Sequence, residues 1–308
     1  MFYGGLIVHI IESELNIFNK DLSDTINKYP NKITKNISDF IFSKSKRIRP
    51  ILLILTAKAL NLDITEQLIN LSVASEIIHN ATLIHDDIID NSNIRRGRVS
   101  LNIELGNNLS VLSGDILLSL AMQKLIQCGN IEILNIFAQS LTKMCIGEIN
   151  QQFTLNTITK VEEYIEKSQY KTAELFKAAF ESLCILFDIK NKENIISFSI
   201  NYATAFQIRD DLINILKTDK TKPSLSDIYN GIYTLPVIFL AEENKGNFEN
   251  LTKEEIIDKL STNSKAINET KKQIEKYADK AIDSLNFIRD NQYKDKIIEL
   301  TQNLYKAF

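Results

Sequence analysis

The chain has 308 residues, a mass of 35.2 kDa, 44% hydrophobic and 24% charged residues, a formal net charge of −3 and a pI near 5.8. A folded chain of this mass leaves about 13,000 Å² exposed against roughly 51,000 Å² when extended, so it can bury a core without disulfides or a structural metal. The ordinary globular composition excludes general disorder, and the slight acidity gives no footprint for bulk nucleic-acid binding. The three cysteines, Cys128, Cys145 and Cys184, form no CxxC pair. That spacing points to reduced thiols in a cytoplasmic protein. The N-terminal segment, Met1 to Glu12, lacks a basic leader and a small-residue cleavage site. No uncharged apolar run reaches about 18 residues, so neither a secretory signal nor a membrane anchor is expected.

Proline and glycine, the main punctuation of turns, are scarce. There are four prolines and nine glycines, and no proline lies between Pro50 and Pro223. Leu, Ile, Ala, Lys, Glu and Gln fill the long stretches, with apolar residues at three-to-four spacing. The pattern predicts helices over residues 9–29, 33–43, 50–60, 64–90, 107–128, 131–155, 160–187, 192–217, 233–243, 253–260, 263–287 and 293–306. Breaks fall at 61–63, 91–107 and 217–232, the last two long and polar, of the kind that often carries function. There is no internal repeat or low-complexity linker. The expectation is one large all-α domain, a helical bundle spanning residues 1–308.

The segment Glu76 to Asp90 reads as the C-terminal part of a largely apolar helix. Asp86 and Asp90 are i,i+4 neighbours on one face, and His79 lies seven residues before Asp86 on the same side. Carboxylates there need a cation or a donor unless they are simply solvated. Mg²⁺, held by one or two carboxylates, waters and phosphate oxygens, suits such a place. Arg95-Arg96-Gly97-Arg98 follows directly. Planar guanidinium groups bind phosphate well, although they could equally neutralise the neighbouring acids.

A second stripe comprises Gln207, Asp210, Asp211 and Asn214, the 0, 3, 4, 7 positions of one helix face in an otherwise apolar segment. A polar stripe in a helix that reads as buried is costly unless it lines a site, and facing helices of a bundle commonly build metal sites from such stripes. Lys46 and Arg49 stand just before a helix, Lys171-Thr172 lies mid-helix, and Lys222-Pro223 follows the second stripe. Each alone reads as a solvated cation. Together with two acidic stripes they suggest a site for two diphosphates bridged by metal.

The ordered motifs resemble those of the trans-isoprenyl diphosphate synthases, or polyprenyl synthetases, over roughly residues 40–308. The marks are Lys46-Arg47-Ile48-Arg49-Pro50, the DDxxD run Asp86 to Asp90 with Arg95-Arg96-Gly97, Gly114-Asp115, Lys171-Thr172-Ala173 and Phe206-Gln207-Ile208-Arg209-Asp210-Asp211. Thr234-Leu235-Pro236 and Tyr277-Ala278-Asp279-Lys280-Ala281 continue the series. One DDxxD is a weak sign; the series in order is specific.

The resemblance implies the isoprenoid synthase fold, helices around a central cavity, in a homodimer. It implies condensation of an allylic diphosphate with isopentenyl diphosphate. Carried over by motif, Asp86 and Asp90 would ligate Mg²⁺ with Asp87 in support, and Asp210 would hold a further ion from the opposite wall with Asp211 close by, three Mg²⁺ per active site in all. Arg95, Lys171 and Lys222 would bind the allylic diphosphate. Lys46, Arg49, His79 and Arg96 would bind that of isopentenyl diphosphate. Thr172 and Gln207 would flank the reacting carbon and, with Lys171, form the catalytic set.

Three departures from the family pattern stand out. Asn214 replaces the usual Asp, Ile232 stands where many members have a lysine, and Lys44-Ser45 replaces the usual glycine pair. They support the alternative of a non-catalytic or partner-dependent subunit of a heteromeric synthase. Terpene cyclases share the acidic motif but do not need a second diphosphate pocket, and the HD-type phosphohydrolases would require His85 as a ligand. Product length follows from the helix of Asp86. Ala81 and Thr82, five and four residues before it, offer no bulky aromatic floor, and each helical turn rises about 5.4 Å, roughly one isoprene unit. A product of at least C20, with room to reach C25 to C35, is expected.

Overall fold

The computed structural model describes residues 9–43, 45–216, 225–244, 248, 251–262 and 264–306. The N-terminal segment to Val8, Lys44, Lys222 and Pro223 lie outside the described residues. A 3-10 turn (His9–Ile11) leads into α1 (Glu12–Ile26), α2 (Thr34–Phe42), α3 (Ile48–Ala59) and α4 (Glu66–Ile89). Two short strands, β1 (Ile94–Arg95) and β2 (Arg98–Val99), precede α5 (Leu101–Glu104), α6 (Asn107–Gln127) and α7 (Ile131–Phe153). Then come α8 (Val161–Ser168), a π turn (Gln169–Ala173), α9 (Glu174–Leu186), α10 (Lys192–Leu216) and α11 (Ser226–Tyr229). The chain ends with α12 (Leu235–Glu243), α13 (Lys253–Thr262), α14 (Ser264–Asp283) and α15 (Gln292–Gln302).

Contacts gather the chain into two compact units. The first comprises Met1–Ala138, Ala178–Ile195 and Asn286–Leu300; the second comprises Gln139–Lys177, Ile196–Leu285 and Thr301–Phe308. In the first, α3 and α4 are core helices. Leu52, Leu53, Ile54 and Leu55 have no solvent exposure, and every residue of α4 from Leu68 to Ile78 is buried. A helix that is apolar all round is stable only inside a core, and that packing overrides the weak helix propensity of isoleucine. Thr65 starts α4 with its hydroxyl accepting the Leu68 amide at 3.3 Å. One side of α6 packs along α4 through Ser113, Gly114, Leu117, Ala121 and Leu125, all buried. By length and composition α6 is apolar enough to cross a membrane, yet it carries Asp115 and Lys124.

The second unit is organised around α10. Phe198, Tyr202 and Phe206 recur every four residues along one side, and Tyr202 also meets Phe176 of α9 with ring centroids 5.9 Å apart. The buried residues of α12, among them Leu235, Val237 and Ile238, pack against α14. Thr252 and Glu255 close a capping box at the start of α13, with reciprocal backbone bonds of 2.8 and 3.2 Å. Such a box satisfies two of the amides that a helix start leaves open.

Most predicted helices occur with small shifts at their ends. Three local departures matter. The stretch predicted as one helix over 160–187 is α8 and α9 joined by the π turn. The break at 91–107 contains a hairpin and the single-turn α5, and the break at 217–232 contains α11.

Candidate active site

In the first unit the chemistry collects at the C-terminal half of α4. The aligned peptide dipoles leave that end of a helix partly negative, and Asp86, Asp87 and Asp90 add carboxylates to it. Such an arrangement requires cations. Arg95 supplies one: its Nε donates to Asp87 Oδ1 at 2.7 Å and its terminal nitrogen donates to the same oxygen. Asp87 is 1% exposed, while Asp86 and Asp90 are half-buried on the shared face. Against the cost of burial, the bonds to Asp87 hold Arg95 above the ordinary arginine value.

Arg95 is placed by the hairpin. Ile94 pairs with Val99 and Arg95 with Arg98. The two linking residues, Arg96 and Gly97, have φ of 54° and 75°, which is the type I′ geometry that matches the twist of a two-residue hairpin. The turn aims Arg96 back at α4, where its guanidinium donates to Asn80 Oδ1 at 3.2 Å and to the Phe40 carbonyl at 3.4 Å. Burial, with Arg47 and Arg95 nearby, pulls Arg96 down to about 10.

Glu76 organises the neighbouring basic residues. Its Oε1 accepts from Arg47 at 2.8 Å, from Ser45 at 3.2 Å and from Asn80 at 3.3 Å. Glu76 is 1% exposed, a charge that burial would forbid without such partners. His79 lies within this group. Burial, and then the charges of Arg49, Arg96, Arg95 and Arg47, hold its imidazole well below the usual histidine range. The structure therefore brings His79, Arg49 and Arg96 together; Arg49 is buried and Lys46 is exposed. His85 turns the other way. Its Nε2 lies 3.2 Å from the Val111 carbonyl and 3.7 Å from Asp115, across Gly114 of α6. A Cβ at Gly114 would fall 2.1 Å from that nitrogen. This orientation leaves the HD-type reading without its histidine.

In the second unit a relay of short hydrogen bonds joins α8, the π turn and α10. Thr172 Oγ1 donates to Gln207 Oε1 at 2.5 Å, Gln207 Nε2 donates to Asp211 Oδ1 at 2.6 Å, and Tyr164 Oη donates to Asp211 Oδ2 at 2.5 Å. Burial and the nearby Asp227 carboxylate push Asp211 up to about 7. Burial, then the charge of Asp211, pushes the Tyr164 phenol well above its ordinary value. Lys171 pairs with Glu148 of α7 at 2.7 Å. Asn214 donates to Ser226 Oγ of α11 at 3.0 Å, while its Oδ1 is buried with no hydrogen-bond partner among the described residues. Ile232, the residue that departs from the family lysine, lines a small crevice with Lys167, Gln151 and Thr154.

Glu76, Asn80, Tyr164 and Asp227 are among the residues of these clusters that carried no role in the sequence reading. Glu76 had a signal, a charged group inside an apolar helical run, whereas Tyr164 sits in the largely polar segment Val161 to Ser168 and had none. Asp227 had none either, because its nearness to Asp211, 16 residues earlier, does not show in local spacing.

Among the described residues no three His, Cys, Asp or Glu side chains converge as an all-protein metal cage. Mg²⁺ does not need one, since waters and substrate phosphates complete its shell. The pair Asp86 and Asp90 at the negative end of α4 fits that donor requirement. In the second unit, the buried Asn214 Oδ1 one turn from Asp210 is suited to a metal-bound water.

The polyprenyl synthetase family model matches residues 30–276. A prenyl transferase of Cyanidium caldarium is 33% identical over 279 residues, covering 86% of each chain. The heptaprenyl diphosphate synthase of Staphylococcus aureus has a TM-score of 0.90 at 27% identity, covering 96% of this chain and 98% of that one. The polyprenyl synthase of Caulobacter crescentus CB15, solved with calcium and isoprenyl diphosphate, has a TM-score of 0.89 at 26% identity, covering 97% and 96%.

Proposed function

The chain belongs to the polyprenyl synthetase family, and on that premise we propose that it works as a trans-polyprenyl diphosphate synthase, joining an allylic diphosphate to isopentenyl diphosphate to give products of C20 or longer. The carrying observation is the segregation of charge along α4. A pocket of arginines around a neutral His79 precedes a carboxylate cluster by about two turns. The first suits a bare diphosphate, and the second suits a diphosphate that arrives with metal.

In the first unit, Arg49, Arg96, His79 and Lys46 are assigned to the diphosphate of isopentenyl diphosphate. Arg95 is assigned to the allylic diphosphate, and Asp86 and Asp90 to Mg²⁺. In the second unit, Asp210 is assigned to Mg²⁺, Lys171 and Lys222 to the allylic diphosphate, and Thr172 and Gln207 to the reacting carbon. Bound Mg²⁺, three ions in this reading, would neutralise the charge growing on the leaving diphosphate.

The bond from the allylic C1 to oxygen breaks and the electron pair leaves with diphosphate, while Arg95 and the lysines stabilise that charge. The double bond of isopentenyl diphosphate then attacks C1 through its terminal carbon, forming the new carbon–carbon bond. The resulting tertiary cation loses a proton from the adjacent CH₂ to the departed diphosphate, which leaves the new trans double bond. No protein general base is required. The protein contributes orientation and charge stabilisation.

A second copy of the chain is the proposed partner. Leu112, Ser119 and Ile126 follow one another at seven-residue spacing on the exposed side of α6, and Leu112 and Ile126 are 54% and 63% exposed. Heptad spacing is what a partner helix fills.

The deciding experiment supplies the purified protein with Mg²⁺, isopentenyl diphosphate and C5, C10, C15 or C20 allylic primers, and sizes the dephosphorylated products. Extension to C20 or beyond, abolished by EDTA, is expected. A ladder that stops at C15 would overturn the open floor at Ala81. No turnover from folded protein with any primer would overturn the synthase reading in favour of a non-catalytic subunit.

A further inference from the structure

The π turn between α8 and α9 solves a problem of phase. Tyr164 and Thr172 are eight residues apart. At 3.6 residues per turn, eight residues advance about 800°, which leaves two side chains about 80° apart around an α-helix. A π turn takes up one extra residue, so the advance falls to about 700° and the two side chains come within about 20° of each other. Both then reach α10, where Gln207 and Asp211 stand one turn apart. Tyr164 bonds to Asp211 and Thr172 to Gln207, each at 2.5 Å.

With Asp211 ionised, the bonds of the relay have a fixed direction. Asp211 accepts from both Tyr164 and Gln207. The amide nitrogen of Gln207 must therefore face Asp211, which turns its carbonyl oxygen toward Thr172. The Thr172 hydroxyl must in turn spend its proton on that carbonyl. Its own lone pairs are not spent within the relay, nor is the second lone pair of the Gln207 oxygen. The π turn is held in place from α7. Gly147 approaches so closely that a Cβ there would lie 2.9 Å from Tyr170 Cβ and 3.5 Å from the Lys171 nitrogen. The adjacent Glu148 holds Lys171 at 2.7 Å.

We propose that Tyr164 is a positioning residue for the reaction: the π turn brings it into register with Thr172, and through Asp211 and Gln207 it fixes the Thr172 hydroxyl so that oxygen lone pairs face the allylic cation. The proposal rests on the prenyltransferase reading. Tyr164 is buried and acts through its bond to Asp211. Loss of its hydroxyl would leave Asp211 free to rotate, the Gln207 amide free to flip and the Thr172 proton free to point at the cation.

The test is a cycle of Tyr164→Phe, Thr172→Val and the double variant in the full chain, with kcat, KM for each substrate and the melting temperature measured for all. Tyr164→Phe should lower kcat by about 10- to 100-fold, the scale of a misplaced catalytic group, with both KM values within about twofold. The double variant should be no slower than the worse single one, although the two side chains do not touch; Thr172→Ser should restore the dependence on Tyr164. Gly147→Ala, which pushes on the π turn and leaves every relay side chain chemically unchanged, should lower kcat in the same way. Additive losses, or an unchanged kcat in Tyr164→Phe and Gly147→Ala, would overturn the proposal. Non-additive shifts in melting temperature read the relay without turnover, so an inactive wild type would sink the synthase reading and leave the relay still measurable.

Discussion

An imidazole among guanidinium groups resists a second proton. Burial and then Arg49, Arg96, Arg95 and Arg47 hold His79 neutral in the folded chain, whereas the unfolded chain protonates it near pH 6.5. Below that value the unfolded state binds the extra proton, so stability is complete above pH 6.5 and falls as the pH drops toward the depressed folded value. The slope attributable to one such group is at most about 1.4 kcal/mol per pH unit. Denaturant titrations at pH 8.0, 6.5 and 5.5 should show this loss in the wild type and a flatter dependence in His79→Gln. Equal slopes in the two proteins would remove His79 from the account. The carboxylates of α4 and α10 were legible in the sequence because charges in apolar helical runs stand out one residue at a time. Glu76 stands out equally, but its meaning depends on Arg47, 29 residues earlier, and local spacing cannot supply that pairing.

At the scale of elements the hairpin decides where two arginines point. Gly97 sits at φ 75° and Arg96 at 54°, in a region where a side chain costs roughly 1–2 kcal/mol per residue. The turn therefore already carries one strained residue, and its glycine spares it a second. Gly97→Ala should cost about 1 kcal/mol of stability and splay the turn. The KM for isopentenyl diphosphate should rise more than that for the allylic primer, because Arg96 lies within the turn and Arg95 keeps its bonds to Asp87. Steady-state kinetics with each substrate varied in turn would show it, and equal changes in both constants would contradict it. The sequence offered only a polar break here, since Arg-Gly lacks the Asn-Gly or Asp-Gly signature of a type I′ turn. The π turn was invisible for a different reason. Apolar residues continue through 160–187 without proline or glycine, and the glycine that makes room for the turn is Gly147, in another helix. Long helices are legible from their own periodicity; a change of phase within one is set by its neighbours.

For the whole molecule the open question is what covers α6. Its buried side is specified by α4, as the helical periodicity anticipated, but its other side exposes Leu109, Val111, Leu112 and Ile126 where water would be expected. Exposed apolar surface of this kind marks an association site, and a bilayer and a second copy are the two candidates. Lys124 argues for the second copy. Its ammonium is held 2.7 Å from both oxygens of Asp21 and 3.0 Å from Asn70, so the helix is already committed to a polar contact within the first unit. Asp115 lies near the middle of α6, where a charge in a membrane helix costs about 2.5–3.5 kcal/mol even on insertion scales. The seven-residue repeat of Leu112, Ser119 and Ile126 instead matches the seam of two packed helices. Sedimentation equilibrium of the wild type should return twice the 35.2 kDa chain mass. Leu112→Glu with Ile126→Glu places like charges at both ends of that seam, where removal from water without partners costs several kcal/mol per ion, and should return the single-chain mass with an unchanged helical circular dichroism spectrum. A monomeric wild type, or a double variant that stays dimeric, would reject the second copy. Flotation of the wild type with phospholipid vesicles, lost in the same variant, would give the surface to a membrane instead.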